Sequence, residues 1–185
     1  MKTAIQIAGI DPSLRNTGIA IGELDTSTWQ PKITELHLVK TEPGEARSAS
    51  EDLLHRCMEI HHAAHQRTTG CQQVFAELPT GGSNKQTAFN LGAGFVAALV
   101  GLPTSVVPVT PYDVKRAALG HLPSKQRDKK AMVAWAMQAH PEAPWPTYER
   151  EGVEYPVTDV NHLEHLADAI AAIYAGIQKM KGQYE

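Results

Sequence analysis

The chain has 185 residues, 42% hydrophobic and 20% charged, the composition of an ordinary folded protein with room for one domain and its core but not two. A net charge of −3 excludes a surface that attracts nucleic acid everywhere, so any such contact must be local. Cys57 and Cys71 suggest neither a disulfide framework nor a zinc knuckle, and with no signal-peptide pattern and no run long enough to cross a bilayer, a cytoplasmic protein with no membrane partner is expected.

Thr3 to Ile10 reads as a strand buried on both faces, and it ends on a carboxylate, Asp11. Thr17 to Leu24 is its neighbour across a turn at Pro12 to Asn16. Lys32 to Thr41 is a third strand with a wetter face, in which Ile33, Glu35 or Leu36, and Leu38 alternate. Their short connections predict an antiparallel meander. From Ser50 to about Arg67 the period becomes helical, with Leu53, Cys57, Ile60 and Ala64 on one stripe. Cys71 to Leu78 returns to strand, Ser83 to Gly101 is helical with Ser83 as N-cap, and Thr104 to Thr110 is a short buried strand. The remainder is helical around Pro111 to Leu119, Arg127 to His140 and His162 to Met180. A hairpin over Thr147 to Pro156, turning at Glu151 and Gly152, falls in an expected insertion near residues 141–161 of a single domain spanning 1–185. The order β-β-β-α-β-α-β followed by helices is the one expected of an RNase H-like α/β domain, a mixed sheet of three antiparallel strands and then parallel additions, flanked by helices.

That architecture explains Asp11. A carboxylate at the C-terminal end of the first, central strand stands at the mouth of the sheet, where open α/β folds hold ligands, and its burial unpaired is costly. Glu77 also ends a buried strand, before Pro79, Gly81 and Gly82, and adjacency of the two strands would make the acids neighbours. His165 and Asp168, three apart, share a face of the last helix, while Leu163, Leu166, Ile170 and Ile173 pack inward and Ala167 and Ala169 permit close approach. Three carboxylates and an imidazole could thus converge, as two divalent ions roughly 4 Å apart require in order to activate a water and stabilise a leaving phosphodiester oxygen. Each has a plainer alternative: Asp11 as a turn former, Glu77 as a surface charge, His165 and Asp168 as a solvated helix pair with Glu164 facing water. Lys115 to Lys130 holds six of the seventeen basic residues against one acid, Asp128, and is either a solvated loop and helix start or a local nucleic-acid contact.

Residues 9–18, GIDPSLRNTG, resemble the opening signature of RuvC-type Holliday junction resolvases; VFAELP, 74–79, is similar to their second acidic strand and HLEHLADAIAAI, 162–173, to their closing helix. The resemblance implies an RNase H-like fold, a homodimer with two active sites, and Mg²⁺-dependent symmetric incision of four-way DNA junctions. Carried over by position, Asp11, Glu77 and Asp168 become metal-binding carboxylates, and His165 stands where some members have Asp and others His. Lys115 and Lys129 or Lys130 fall near the scissile phosphate, and Arg116, Lys125 and Arg127 belong to the same basic run; apart from the resemblance, Asn84, Lys85 and Gln86 are expected to contact phosphates from their loop, with a helix N-terminus assisting. Two Mg²⁺ ions suit the carboxylates, and Mn²⁺ substitutes. Imidazole is a poorer partner for so hard an ion, so His165 is expected to bind weakly, favour Mn²⁺ or orient the attacking water. Where members often carry an aromatic residue after the second acid, this chain has Leu78, Pro79 and Thr80. Trp145, Tyr148 and Tyr155 of the insertion either touch DNA or pack on their own domain.

Gly92, Gly94 and Ala98 permit close helix approach, either between two copies, as the family dimerises around this region, or against the sheet. Cys57, His61 and His65 share a helical face, but with no fourth ligand evident the histidines are expected to face solvent. A sugar-kinase or actin-like ATPase also ends its first strand in Asp, yet needs a duplicated second half that this length does not provide. A nuclease of the same fold acting on RNA–DNA hybrid would draw an acid from the first helix, where Glu51, Asp52 and Glu59 are the candidates; flaps and forks are other substrates. A non-catalytic binder of branched DNA would keep the scaffold alone.

Overall fold

A computed structural model describes residues 4–44, 48–81 and 84–184. Strands β1 (Ala4–Asp11), β2 (Asn16–Asp25) and β3 (Gln30–Lys40) form the antiparallel meander, and β4 (Gln73–Glu77) and β5 (Val106–Val109) add in parallel beyond β1, giving the order β3-β2-β1-β4-β5. β1 is therefore central. Alternate residues along it serve two cores. Ala8 and Ile10 pack under α1 (Ala49–Thr68) and α2 (Lys85–Leu99), whereas Ile7 packs with α3 (Pro111–Leu119), α4 (Lys129–Ala139) and α5 (Val160–Tyr184) on the other face. A sheet covered on both faces explains why β1 and β4 read as continuous apolar runs. This is the RNase H-like mixed α/β fold.

Local chemistry sets the element ends. α1 opens on a capping box, Ser48 accepting from the Glu51 N–H and Glu51 accepting from the Ser48 N–H, and Thr110 with Asp113 repeats the device at α3. Ser83, the expected cap of α2, lies outside the described residues; the cap is Asn84, whose side chain accepts from the Thr87 N–H at 2.9 Å. In β3 the register slips, with Ile21 opposite Glu35 and Gly22 opposite Ile33, so that Thr34 is an extra residue and donates its hydroxyl to the Ile21 carbonyl. This bulge lets Ile33 and Leu36, an odd number of residues apart, face the same core.

β6 (Thr147–Arg150) and β7 (Val153–Pro156) form a separate two-stranded ribbon, turning at Glu151 and Gly152, both with positive φ. Tyr148 and Tyr155 stack across it with centroids 5.7 Å apart, both exposed, while Trp145 packs on the core and donates to the His140 carbonyl. No helix among the described residues is long and apolar enough to cross a membrane.

α5 lies directly on the middle of the sheet. A Cβ at Gly9 would strike the Ala169 carbonyl, and one at Gly18 the His165 carbonyl, so backbone meets backbone there. Gly18→Ala forces that helix off the sheet and is expected to lower stability by about 3 kcal/mol, read from the urea midpoint.

Candidate active site

β1 and β4 run parallel with Ile10 opposite Ala76, so the next residues, Asp11 and Glu77, emerge side by side where both strands give way to loops. α5 supplies the remainder, its contact at Gly9 and Gly18 holding His165 and Asp168 over that edge. All four line one cleft of roughly 310 Å³, with Ser13, Thr80, Lys129 and Glu164. A roomier hollow of about 580 Å³ lies elsewhere, bordered by Leu14, Arg56 and Phe89, and its single acid, Asp52, is paired with Arg56.

Within the cleft, charges alternate in sign. Lys129 Nζ donates to Glu164 Oε1 at 2.6 Å, Glu164 Oε1 lies 3.7 Å from His165 Nε2, and His165 Nδ1 is 2.7 Å from Asp11 Oδ2. A carboxylate only accepts, so Nδ1 carries the proton. The plainer alternative of Glu164 facing water does not hold; it is buried, 8% exposed, because its spacing of four from Asp168 turns it inward with that residue. The same spacing was a usable signal in the sequence.

Burial is the largest influence on Glu77 and Asp168 and pushes both carboxyls well up, Glu77 to about 8. The charge of Asp11 raises both further, and Lys115 pulls both back. For His165, burial would lower the pKa, but the hydrogen bond and charge of Asp11, then Glu164 and Asp168, leave it raised.

Asp168 Oδ1 is sealed from solvent and accepts no hydrogen bond. A buried carboxylate oxygen left unsatisfied among other acids is what a cation neutralises, and an oxygen-rich set of three carboxylates fits Mg²⁺ or Mn²⁺. Among the described residues no three His, Cys, Asp or Glu side chains already stand as a metal-holding group. Asp11 is turned to His165 and Glu164 to Lys129, so each of these two acids already has a partner inside the cleft. On α1, His61 is half-buried rather than solvent-facing, its Nδ1 3.3 Å from the Ala97 carbonyl.

The basic residues scatter more than the run suggests. Lys129 lines the cleft, and Lys115 acts on Glu77 and Asp168 through its charge. Lys85, Lys125 and Lys130 are exposed, and the Asn84 side chain is engaged as a cap. Arg116 lies over the Tyr112 ring beside a separate hollow with Lys179, while Arg127 donates to the Leu122 and Gly120 carbonyls.

No family model and no curated protein matches the chain. Solved structures do. Thermus thermophilus RuvC in complex with a Holliday junction substrate is 22% identical with a TM-score of 0.67, over 96% of both chains. A second Thermus thermophilus RuvC structure is 21% identical with a TM-score of 0.66, over 96% of this chain and 97% of that one. Fowlpox virus resolvase with its substrate Holliday junction DNA is 14% identical with a TM-score of 0.51, over 98% and 100%. The chain has the fold of the RuvC structures.

Raised carboxyls bind protons more tightly in the folded than in the unfolded chain, so between about pH 4 and pH 8 stability falls as pH rises, and the raised His165 acts in the same sense. In chelator, the Tm is expected to drop from about pH 5.5 to about pH 8.5, with a shallower slope in Asp168→Asn. A Tm rising over that range contradicts the assignment.

Proposed function

We propose that the chain is a metal-dependent endonuclease that resolves four-way DNA junctions by paired phosphodiester hydrolysis as a homodimer. The observation that carries this is one cleft lined by Asp11, Glu77, His165 and Asp168 on a RuvC-like fold, with an unsatisfied Asp168 oxygen in it. That the Thermus and fowlpox structures contain Holliday junction DNA favours a four-way substrate.

Asp11, Glu77 and Asp168 would hold two Mg²⁺ ions, or Mn²⁺ in their place, which when bound supply positive charge for an activated water and for the leaving oxygen. The rest falls to the chain itself. His165 fixes the Asp11 carboxylate through Nδ1–H. Glu77 and Asp168 must shed protons before they can hold a cation, and Lys115 favours that step. Lys115 and Lys129 put positive charge where the phosphate grows more negative, the main requirement of phosphoryl transfer. Asn84, Lys85, Arg116, Lys125, Arg127 and Lys130 are the proposed outer phosphate contacts, which position the junction.

Dimerisation has a surface available. Phe89 and Val96 of α2, Val100 just after it, and Leu54 and Met58 of α1 are between 49% and 62% exposed, apolar surface that a second copy would cover. Gly92 has open space at its Cβ, whereas Gly94 is filled by the backbone of Ser13 and Leu14 and, with buried Ala98, serves internal packing. The acids of α1 do not favour action on RNA–DNA hybrid: Glu51 caps its helix, Asp52 is held by the Gly44 N–H and Arg56, Glu59 pairs with His55, and none lines the cleft.

Labelled four-way junctions, flaps, duplex and RNA–DNA hybrid, incubated with Mg²⁺ or with chelator, test the proposal. Paired symmetric nicks in the junction, abolished by chelator, are expected; hydrolysis of the hybrid alone overturns it. Asp11→Asn is expected to cut about a hundredfold or more slowly while binding junctions nearly as the parent does, and an equal loss of binding speaks against a metal role.

A further inference from the structure

We propose, resting on that nuclease reading, that Glu164 is a fourth carboxylate of the cation-holding set and that Lys129 is its built-in counter-ion, an ammonium that keeps the place until a divalent cation takes it. The Glu164 side chain is 11% exposed, so its charge must be balanced locally. Two bases face it. One is His165, whose other ring nitrogen already serves Asp11; the other is Lys129, at 2.6 Å. The Lys129 side chain is 61% exposed, so this pair joins a fixed anion to a cation free to swing into solvent.

Two further observations point to exchange rather than to a structural ion pair. Lys129 is the first residue of α4, where the helix dipole disfavours a cation, and helix stability alone does not account for lysine there. Independently, Asp168, one turn after Glu164 on the same face of α5, presents a sealed, unpartnered Oδ1 to the same cleft, so positive charge is still lacking with Lys129 seated. Once released, the Lys129 ammonium stands at the cleft as a ligand for a DNA phosphate. Loading of the site and capture of the backbone are thereby coupled through one side chain.

Calorimetric titration of the full chain with Mn²⁺, in the absence of DNA, tests this. Lys129→Met is expected to bind Mn²⁺ about tenfold more tightly than the parent and Glu164→Gln about tenfold more weakly, with Glu164→Asp recovering part of the loss. Lys32→Met, on an exposed position of β3, makes the same charge change outside the cleft and is expected to bind as the parent does. A parent that binds Mn²⁺ while either Lys129→Met or Glu164→Gln matches it overturns this proposal alone. A parent that binds no Mn²⁺ removes the nuclease reading along with it. Lys129 is exposed, so its variant keeps the test decisive even if Glu164→Gln fails to fold.

Discussion

The backbone of α5 touches the backbone of β1 and β2 with no side chain between them, and the rest of the site depends on that contact. Gly9 and Gly18 leave the gap, and the Ala169 and His165 carbonyls enter it. Side chains that leave a helix lying so low on a sheet reach the strand ends directly. His165 thus meets Asp11, 154 residues away in the chain, at 2.7 Å, and Asp168, its Oδ1 sealed from solvent, lines the same cleft as Asp11 and Glu77. A helix set one side chain higher would put the same residues in water, each with an ordinary pKa and no common cleft.

Close approach has an electrostatic cost. Asp11, Glu77, Glu164 and Asp168 line a space of roughly 310 Å³, and desolvation, then the charge of Asp11, lift the pKa values of Glu77 and Asp168. The chain offsets part of this with His165, Lys115 and Lys129, and leaves Asp168 Oδ1 uncompensated. Such a concentration of unfavourable charge at a sheet mouth lowers stability, and the proposed site for cations and a phosphate would give each of these residues a use. At Gly94, too, a neighbouring backbone fills the space a side chain would need, whereas Gly81 and Gly152 have open space around them.

Much of this was legible in the sequence, and for physical reasons. β1 and β4 are buried on both faces, so they read as unbroken apolar runs whose ends, Asp11 and Glu77, stand out. Gly152 marked the turn of the β6-β7 ribbon in the sequence, because glycine is at ease at positive φ, whereas Glu151 takes its positive φ without that help. Other features were set by tertiary context. Whether Leu36 or Glu35 continued the alternation of β3 turned on a bulge at Thr34, which no local period encodes. Glu164 carries the spacing that puts it inside, but a glutamate beside a histidine on a helix reads equally as solvated until the depth of the helix on the sheet is known. The basic run from Lys115 to Lys130 divides among a cleft lysine, a ring contact, carbonyl ligands and free surface, a partition fixed by how α3 and α4 pack.

What most needs testing is the proposed holding of divalent cations between Asp11, Glu77 and Asp168. Diffraction from crystals grown with Mn²⁺, recorded at the manganese absorption edge, tests it most directly. Anomalous peaks at coordination distance from oxygens of those three carboxylates are expected. A cleft with no anomalous peak at saturating Mn²⁺, its acids still held by His165 and Lys129, would contradict it.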